Sequence, residues 1–271
     1  MEYLKTIELV LREARTRVLD IVRGKDAFKV VGRNRFGDKT FLLDRLAEEA
    51  VVKALSQRLK RFTLLSEEAG ILEVGGGGGI VAVLDPLDGS TNASRGFPFY
   101  SISLALAEGS RLSDVVAAGV VDVPRGDIYL AARGGGSRLN GRPIKVSDVK
   151  RLKDSVLGAD VNVKGRAFGY LAKISPVLEE AYSVRFMGSN ALGLCMVASG
   201  VYDAFVDFRG LLRVVDSAAG MLIVEEAGGV VLDQAGRRPD PKLEPGSRVS
   251  LVAASTMELA SEIISLFRPK G

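Results

Sequence analysis

The sequence predicts an α/β protein whose two halves pack as one compact body, and three observations carry that expectation. Amphipathic helical patterns open the chain, the stretch from Tyr100 to Val146 reads as antiparallel β-structure, and beyond about Asp148 strand-like and helical runs alternate. At 271 residues with 47% hydrophobic content the chain can bury a full-sized core. No repeat, long linker or low-complexity tail divides it, so residues 1–147 and 148–271 are read as two halves flanking a cleft.

The elements follow in order. MEYLKTIELVLREARTRVLDIVRG places Leu4, Ile7, Leu11, Ala14, Val18 and Ile21 on one face of a surface helix. A second helix is expected from about Asp44 to Leu59, leading into the short strand FTLLS, which ends at Ser66 and is followed at once by Glu67 and Glu68. The run Gly75 to Gly79 is a flexible connector; no Lys-Ser/Thr follows it, so it is not a phosphate-cradling loop. GIVAVL is a buried strand that delivers Asp85 at its end. SISLALAE, VVAAGVVDV, DIYLAAR and RPIKVS form an antiparallel meander, with Asn140 and Gly141 in a tight turn. In the second half, strands (SVLGAD, SVRFMG, YDAFVDF, GGVVLD, SLVAAS) alternate with helices (AFGYLAKISPVLEEAY, ALGLCMVASG, SAAGMLIVEEAG, MELASEIISLF).

Composition narrows the chemistry. The chain has no histidine and no tryptophan, which excludes Ser/His/Asp and Cys/His hydrolysis and His-ligated zinc, leaving carboxylates, hydroxyls, lysine and bound metal. Its single cysteine, Cys195, lies in an apolar helical run and reads as a core residue; no internal disulfide can form, and a reducing cytoplasm is the expected setting. With 37 Lys and Arg against 33 Asp and Glu, the net charge of +4 suits small anions and is not a nucleic-acid signature. No secretion signal or membrane-spanning run is expected, so no membrane partner is.

The chemistry centres on VLDPLDGSTN. Asp85 and Asp88 lie three residues apart around Pro86, which restricts the turn, and two carboxylates held together suit a hard divalent cation such as Mg²⁺. The Leu87 carbonyl between them is a further candidate ligand, while Gly89, Ser90 and Thr91 offer N–H groups and hydroxyls to an anion. Taken alone, DPLDGS also reads as a polar turn, Glu67 and Glu68 as a solvated pair, and Asp216 as a helix N-cap. Two rivals remain open: a haloacid-dehalogenase-type phosphatase, although DPLDGS is one residue longer than DxDGT, and a divalent-ion or RNA-binding protein without turnover.

In order and spacing, LLSEEAG, VLDPLDGSTN with FPFYSISLALAE, GSNALGLCMVASGVYDAF and VVDSAAGMLIVEEAGG resemble the motifs of the inositol monophosphatase family of Mg²⁺-dependent, lithium-sensitive phosphatases. VVGRNRFGDKTFLLDRLAEEA and DFRGLLRVVD look most like the archaeal branch, which hydrolyses both inositol monophosphate and fructose 1,6-bisphosphate. The resemblance implies a layered αβαβα sandwich with mixed and largely antiparallel sheets. It also implies a homodimer, and two or three Mg²⁺ per active site with Mn²⁺ as a substitute.

Carried over by position, it makes Glu67, Asp85 and the Leu87 carbonyl ligands of one metal, and Asp85, Asp88 and Asp216 ligands of a second. Asp38, in a loop of residues 31–40, would help hold a third. Asp44 and Ser90 would orient the attacking water or take its proton, with Glu68 behind them, and phosphate oxygens would rest on Gly89 and Ser90. Gly188, Ser189, Asn190 and Asp207 would face the sugar, and Arg95 or Arg185 could grip a distal phosphate. This chain departs from the family pattern with Ser90 in place of Thr, which keeps the hydroxyl, and Val215 in place of Trp, which removes no ligand. The substrate is then inositol 1-phosphate or fructose 1,6-bisphosphate, with 3′-phosphoadenosine phosphate and NADP as alternatives.

Overall fold

A computed structural model describes residues 2–33, 39–163 and 165–267. Its elements run α1 (Glu2–Val22), β1 (Val30–Arg33), β2 (Lys39–Phe41), α2 (Leu42–Ser56), β3 (Phe62–Ser66), β4 (Gly70–Val74), β5 (Val81–Asp88) and α3 (Ser90–Ser94). The meander follows as β6 (Ser101–Ala107), β7 (Val115–Asp122), β8 (Ile128–Ala132), β9 (Ser137–Leu139) and β10 (Arg142–Ile144). The remainder is β11 (Val156–Ala159), α4 (Tyr170–Glu180), β12 (Ser183–Arg185), α5 (Asn190–Ala198), β13 (Ala204–Arg213), α6 (Val214–Glu226), β14 (Val230–Leu232), β15 (Arg248–Ala254) and α7 (Met257–Phe267).

The layers are those of an αβαβα sandwich. An eight-stranded sheet, ordered β10-β9-β8-β7-β6-β5-β3-β4, is antiparallel except between β3 and β5. A five-stranded sheet, ordered β12-β11-β13-β15-β14, is parallel on both sides of β11 and antiparallel elsewhere. Helices α1 and α2 cover the outer face of the larger sheet, α5 and α6 lie between the sheets, and α4 and α7 cover the smaller one.

Sequence explains which helix goes where. The outer helix α1 buries one stripe, Ile7, Val10, Leu11, Ala14 and Val18. In α5 every residue after Asn190 is buried, and in α6 every residue from Val214 to Val224 is. A helix apolar all round has no face to offer water, so these two fill the middle layer. Cys195 is part of that core.

Local signals hold at several places. The meander forms as expected, and Asn140 takes the left-handed conformation at the β9–β10 turn with φ of 51°. The five-glycine connector is left-handed throughout, and at Gly75 a Cβ would lie 2.1 Å from the Lys60 carbonyl oxygen. Helix α4 starts at Tyr170 rather than at Ala167. The consequence for function is at the strand ends: parallel pairing of Ser66 with Leu84 brings Glu67, just past β3, beside Asp85 in β5.

Candidate active site

The three segments meet at one carboxylate cage. Glu67, Asp85 and Asp216 each offer an oxygen, all within 4.8 Å of one another, and Asp88 faces the same cleft. Asp85 and Asp88 point together because the β5–β6 register is irregular between them. Asp85 Oδ1 accepts the Leu87 N–H at 3.0 Å, whereas Asp85 Oδ2 is buried and accepts no hydrogen bond from the described residues. Asp216 sits in the first turn of α6, where its Oδ2 accepts the Arg213 N–H at 3.3 Å.

This crowding is expensive for negative charge. Burial, then the charges of Glu67, Asp216 and Asp88, push the Asp85 carboxyl well above the ordinary carboxylate range, with Arg213 opposing. Asp88 is pushed up to about 7 by burial and by Asp216, against hydrogen bonds from Ser189 Oγ at 2.6 Å and the Ala191 N–H at 2.7 Å. Asp44, in the first turn of α2, is raised to about 8, chiefly by burial; its Oδ2 accepts the Phe41 N–H at 2.8 Å and its buried Oδ1 has no partner among the described residues. Burial likewise raises Glu68 to about 7, although Thr40 Oγ1 donates to it at 2.5 Å. Hard oxygen donors, mutual repulsion and orphaned buried oxygens fit a divalent cation.

Beside the cage lies the anion-facing turn. Gly89 holds φ of 89°, and a Cβ there would come within 3.0 Å of the Phe99 carbonyl oxygen, so only glycine can lead β5 into α3. Gly89, Ser90 and Thr91 line a cleft of about 750 Å³ together with Asp44, Leu87 and the cage. Asn92 secures the turn by donating to the carbonyls of Phe99 and Met187 at 2.8 and 2.7 Å.

The other expected residues divide. Gly188 and Asn190 line the cleft, while Ser189 acts from behind by holding Asp88 and capping α5. Arg185 is exposed at a small depression beside the cleft and donates to Ser183 Oγ at 2.6 Å. Two expected residues lie off the cleft wall. Arg95, which follows α3, is exposed. Asp207 is fully buried, its carboxylate held by Arg209 at 2.5 and 2.9 Å; the irregular β13 register between Asp207 and Leu212 leaves Arg209 on the wall instead. Asp38 lies outside the described residues.

Sequence reasoning missed the arginines. Arg213 bridges Glu67 and Asp216, reaching Asp216 Oδ1 at 2.9 Å. Arg209, its side chain 6% exposed, also pairs with Asp160 at 2.7 Å and donates to the Asn162 carbonyl at 2.7 Å. Lys39, Arg166 and Arg248 line the same cleft. The one available signal was Arg213 at i, i+3 from Asp216.

Acidic cage, glycine-led anion turn and layered sandwich together define a phosphatase. The chain belongs to the inositol monophosphatase family, whose model matches residues 2–270. It is 39% identical over 272 residues to the fructose-1,6-bisphosphatase/inositol-1-monophosphatase of Methanothermobacter thermautotrophicus, covering 97% of this chain and 95% of that protein. It is 37% identical over 262 residues to a Nus factor SuhB of Xylella fastidiosa, covering 96% and 92%. A solved inositol monophosphatase-fructose 1,6-bisphosphatase superposes with a TM-score of 0.85 at 27% identity, covering 98% of this chain and all of that one. No helix among the described residues is long and apolar enough to cross a membrane.

Proposed function

We propose that the protein is a Mg²⁺-dependent phosphomonoesterase acting on a small sugar or polyol phosphate, fructose 1,6-bisphosphate before inositol 1-phosphate, by direct attack of water. The observation that carries this reading is the convergence of Glu67, Asp85 and Asp216 beside the Gly89–Thr91 turn in one cleft. Glu67, Asp85, Asp88, Asp216 and the Leu87 carbonyl would hold the cations, with Mn²⁺ as a substitute. Bound there, a divalent cation supplies Lewis acidity that lowers the pKa of water and neutralises charge on the leaving oxygen. Asp44 and the Ser90 hydroxyl would orient the water or take its proton. The N–H groups of Gly89 and Ser90 bind the phosphoryl oxygens. No residue need form a covalent intermediate.

The preference for a bisphosphate rests on the basic residues that line the cleft. Arg209 lines the cleft while held by Asp160 and Asp207, and Arg166, Arg248 and Lys39 add positive charge to the same cleft. A second phosphate complements that charge better than the hydroxyls of inositol do. The chain is expected to act in the cytoplasm as a homodimer.

Phosphate release measured with Mg²⁺ over fructose 1,6-bisphosphate, inositol 1-phosphate, NADP and 3′-phosphoadenosine phosphate tests the reading. Highest kcat/KM on fructose 1,6-bisphosphate is expected; release that persists in Asp85→Asn and Asp216→Asn would sink the mechanism. The Nus-factor name of one relative supports a second reading, RNA binding. RNA retained on the protein with no Mg²⁺-dependent turnover of any of the four esters would favour it.

A further inference from the structure

Arg213 puts a positive charge inside the carboxylate cage. Its Nε lies 3.0 Å from both oxygens of Asp216, its Nη2 lies 2.9 Å from Asp216 Oδ1, and its Nη1 donates to Glu67 Oε1. Its charge reaches Asp85 as well. A guanidinium stays protonated at any pH the fold survives, so this charge is permanent.

The backbone around it is pinned. Arg213 closes β13, where it pairs with Arg248 of β15, and the next residue begins α6. The side chain itself lines the cleft, which has space beside it. Two of the three converging carboxylates therefore already face an internal cation with the same oxygens a divalent ion would need.

We propose that Arg213 is a built-in competitor for the metal: loading a divalent cation onto Glu67 and Asp216 displaces the guanidinium, so Arg213, and not the carboxylates alone, sets the affinity of the cage. The inference rests on the cage being the metal site. Arg213 is thus a positioning residue. It keeps Glu67 and Asp216 together at the cost of weaker metal binding, and it makes occupancy depend on cation concentration in the range where competition is balanced.

Mn²⁺ titration followed by EPR of the free ion, on the full chain and without substrate, tests this. Arg213→Met is expected to bind Mn²⁺ about tenfold or more tightly than the parent, since the competing charge is gone, with Arg213→Lys in between because a point charge cannot span both carboxylates. With chelator, Arg213→Met should melt below the parent, and saturating Mg²⁺ should close that gap. A merely structural arginine would loosen Mn²⁺ binding when removed. Unchanged or weaker binding in folded Arg213→Met and Arg213→Lys would overturn the proposal; if Arg213→Met does not fold, the Lys variant decides. Asp85→Asn, which removes the carboxylate common to both metals, separates the two layers of inference: Mn²⁺ binding that survives it overturns the cage as the site, and the competitor with it.

Discussion

Two clusters of buried charge are anchored on β13 and line the same cleft, and they are built to different accounts. In one, Arg209 meets Asp207 and Asp160 and also donates to the Asn162 carbonyl, so a single guanidinium is shared by two carboxylates. In the other, Arg213 meets Glu67 and Asp216, but Asp85 and Asp88 lie in the same cage. The first cluster is a strut only one charge from neutral. The second carries a surplus of negative charge, and surplus negative charge in a buried place is where an external cation belongs. The same residue types therefore serve as scaffold or as site according to how far their charges cancel.

The largest expected effect comes from removing the centre of the surplus. Asp85→Asn should lower Mg²⁺-dependent phosphate release by roughly 10²–10³-fold or more, while its melting temperature in chelator holds or rises, because repulsion with Glu67, Asp216 and Asp88 is relieved. Lower stability in chelator would mean that the cage is not over-acidic. Next comes the strut. Arg209→Met leaves Asp160 and Asp207 facing each other unpaired and should cost about 3–5 kcal/mol in urea unfolding. Its kcat/KM should fall roughly tenfold or more for fructose 1,6-bisphosphate and less for inositol 1-phosphate; an equal loss for both would remove Arg209 from substrate recognition.

The pH response should be smaller, and its direction follows from the raised carboxyls. Asp44 near 8 and Glu68 and Asp88 near 7 keep protons that the unfolded chain releases near pH 4. The folded protein in chelator then binds more protons between about pH 4 and 8, so its stability is greatest below that window and is lost as pH rises through it. Melting in chelator should drop by several degrees, of order 5 °C, from pH 5 to pH 8.5, and Mg²⁺ should remove most of the slope. A flat profile in chelator would place the surplus charge elsewhere. Smallest of all, Arg95→Ala, on an exposed side chain away from the cleft wall, should change kcat/KM less than about twofold for any of the esters.

Much of the cage was legible because its parts are local. Asp85, Leu87 and Asp88 share the irregular end of β5, and Gly89, Ser90 and Thr91 follow directly, so spacing alone brought them together. Glu67 and Asp216 were legible through ordered motifs, since nothing in the short range links residues that far apart. Asp207 was not legible. The irregular stretch of β13 between Asp207 and Leu212 exchanges which side chains face the cleft, and hydrophobic alternation cannot reveal where a strand departs from its register. The arginines were illegible for another reason: a lone arginine in sequence reads as surface charge, and Arg209 and Arg213 are buried only because their partners come from other segments.

By itself the sequence determined the helices, the meander and the short segment that carries two aspartates, because helix period, strand alternation and turn chemistry act over a few residues. Only the tertiary structure decided which charges meet: that Arg213 enters the cage and that Arg209 rather than Asp207 lines the cleft. Ion pairing depends on distance in space, and parallel pairing of β3 with β5, together with one irregular strand, set those distances.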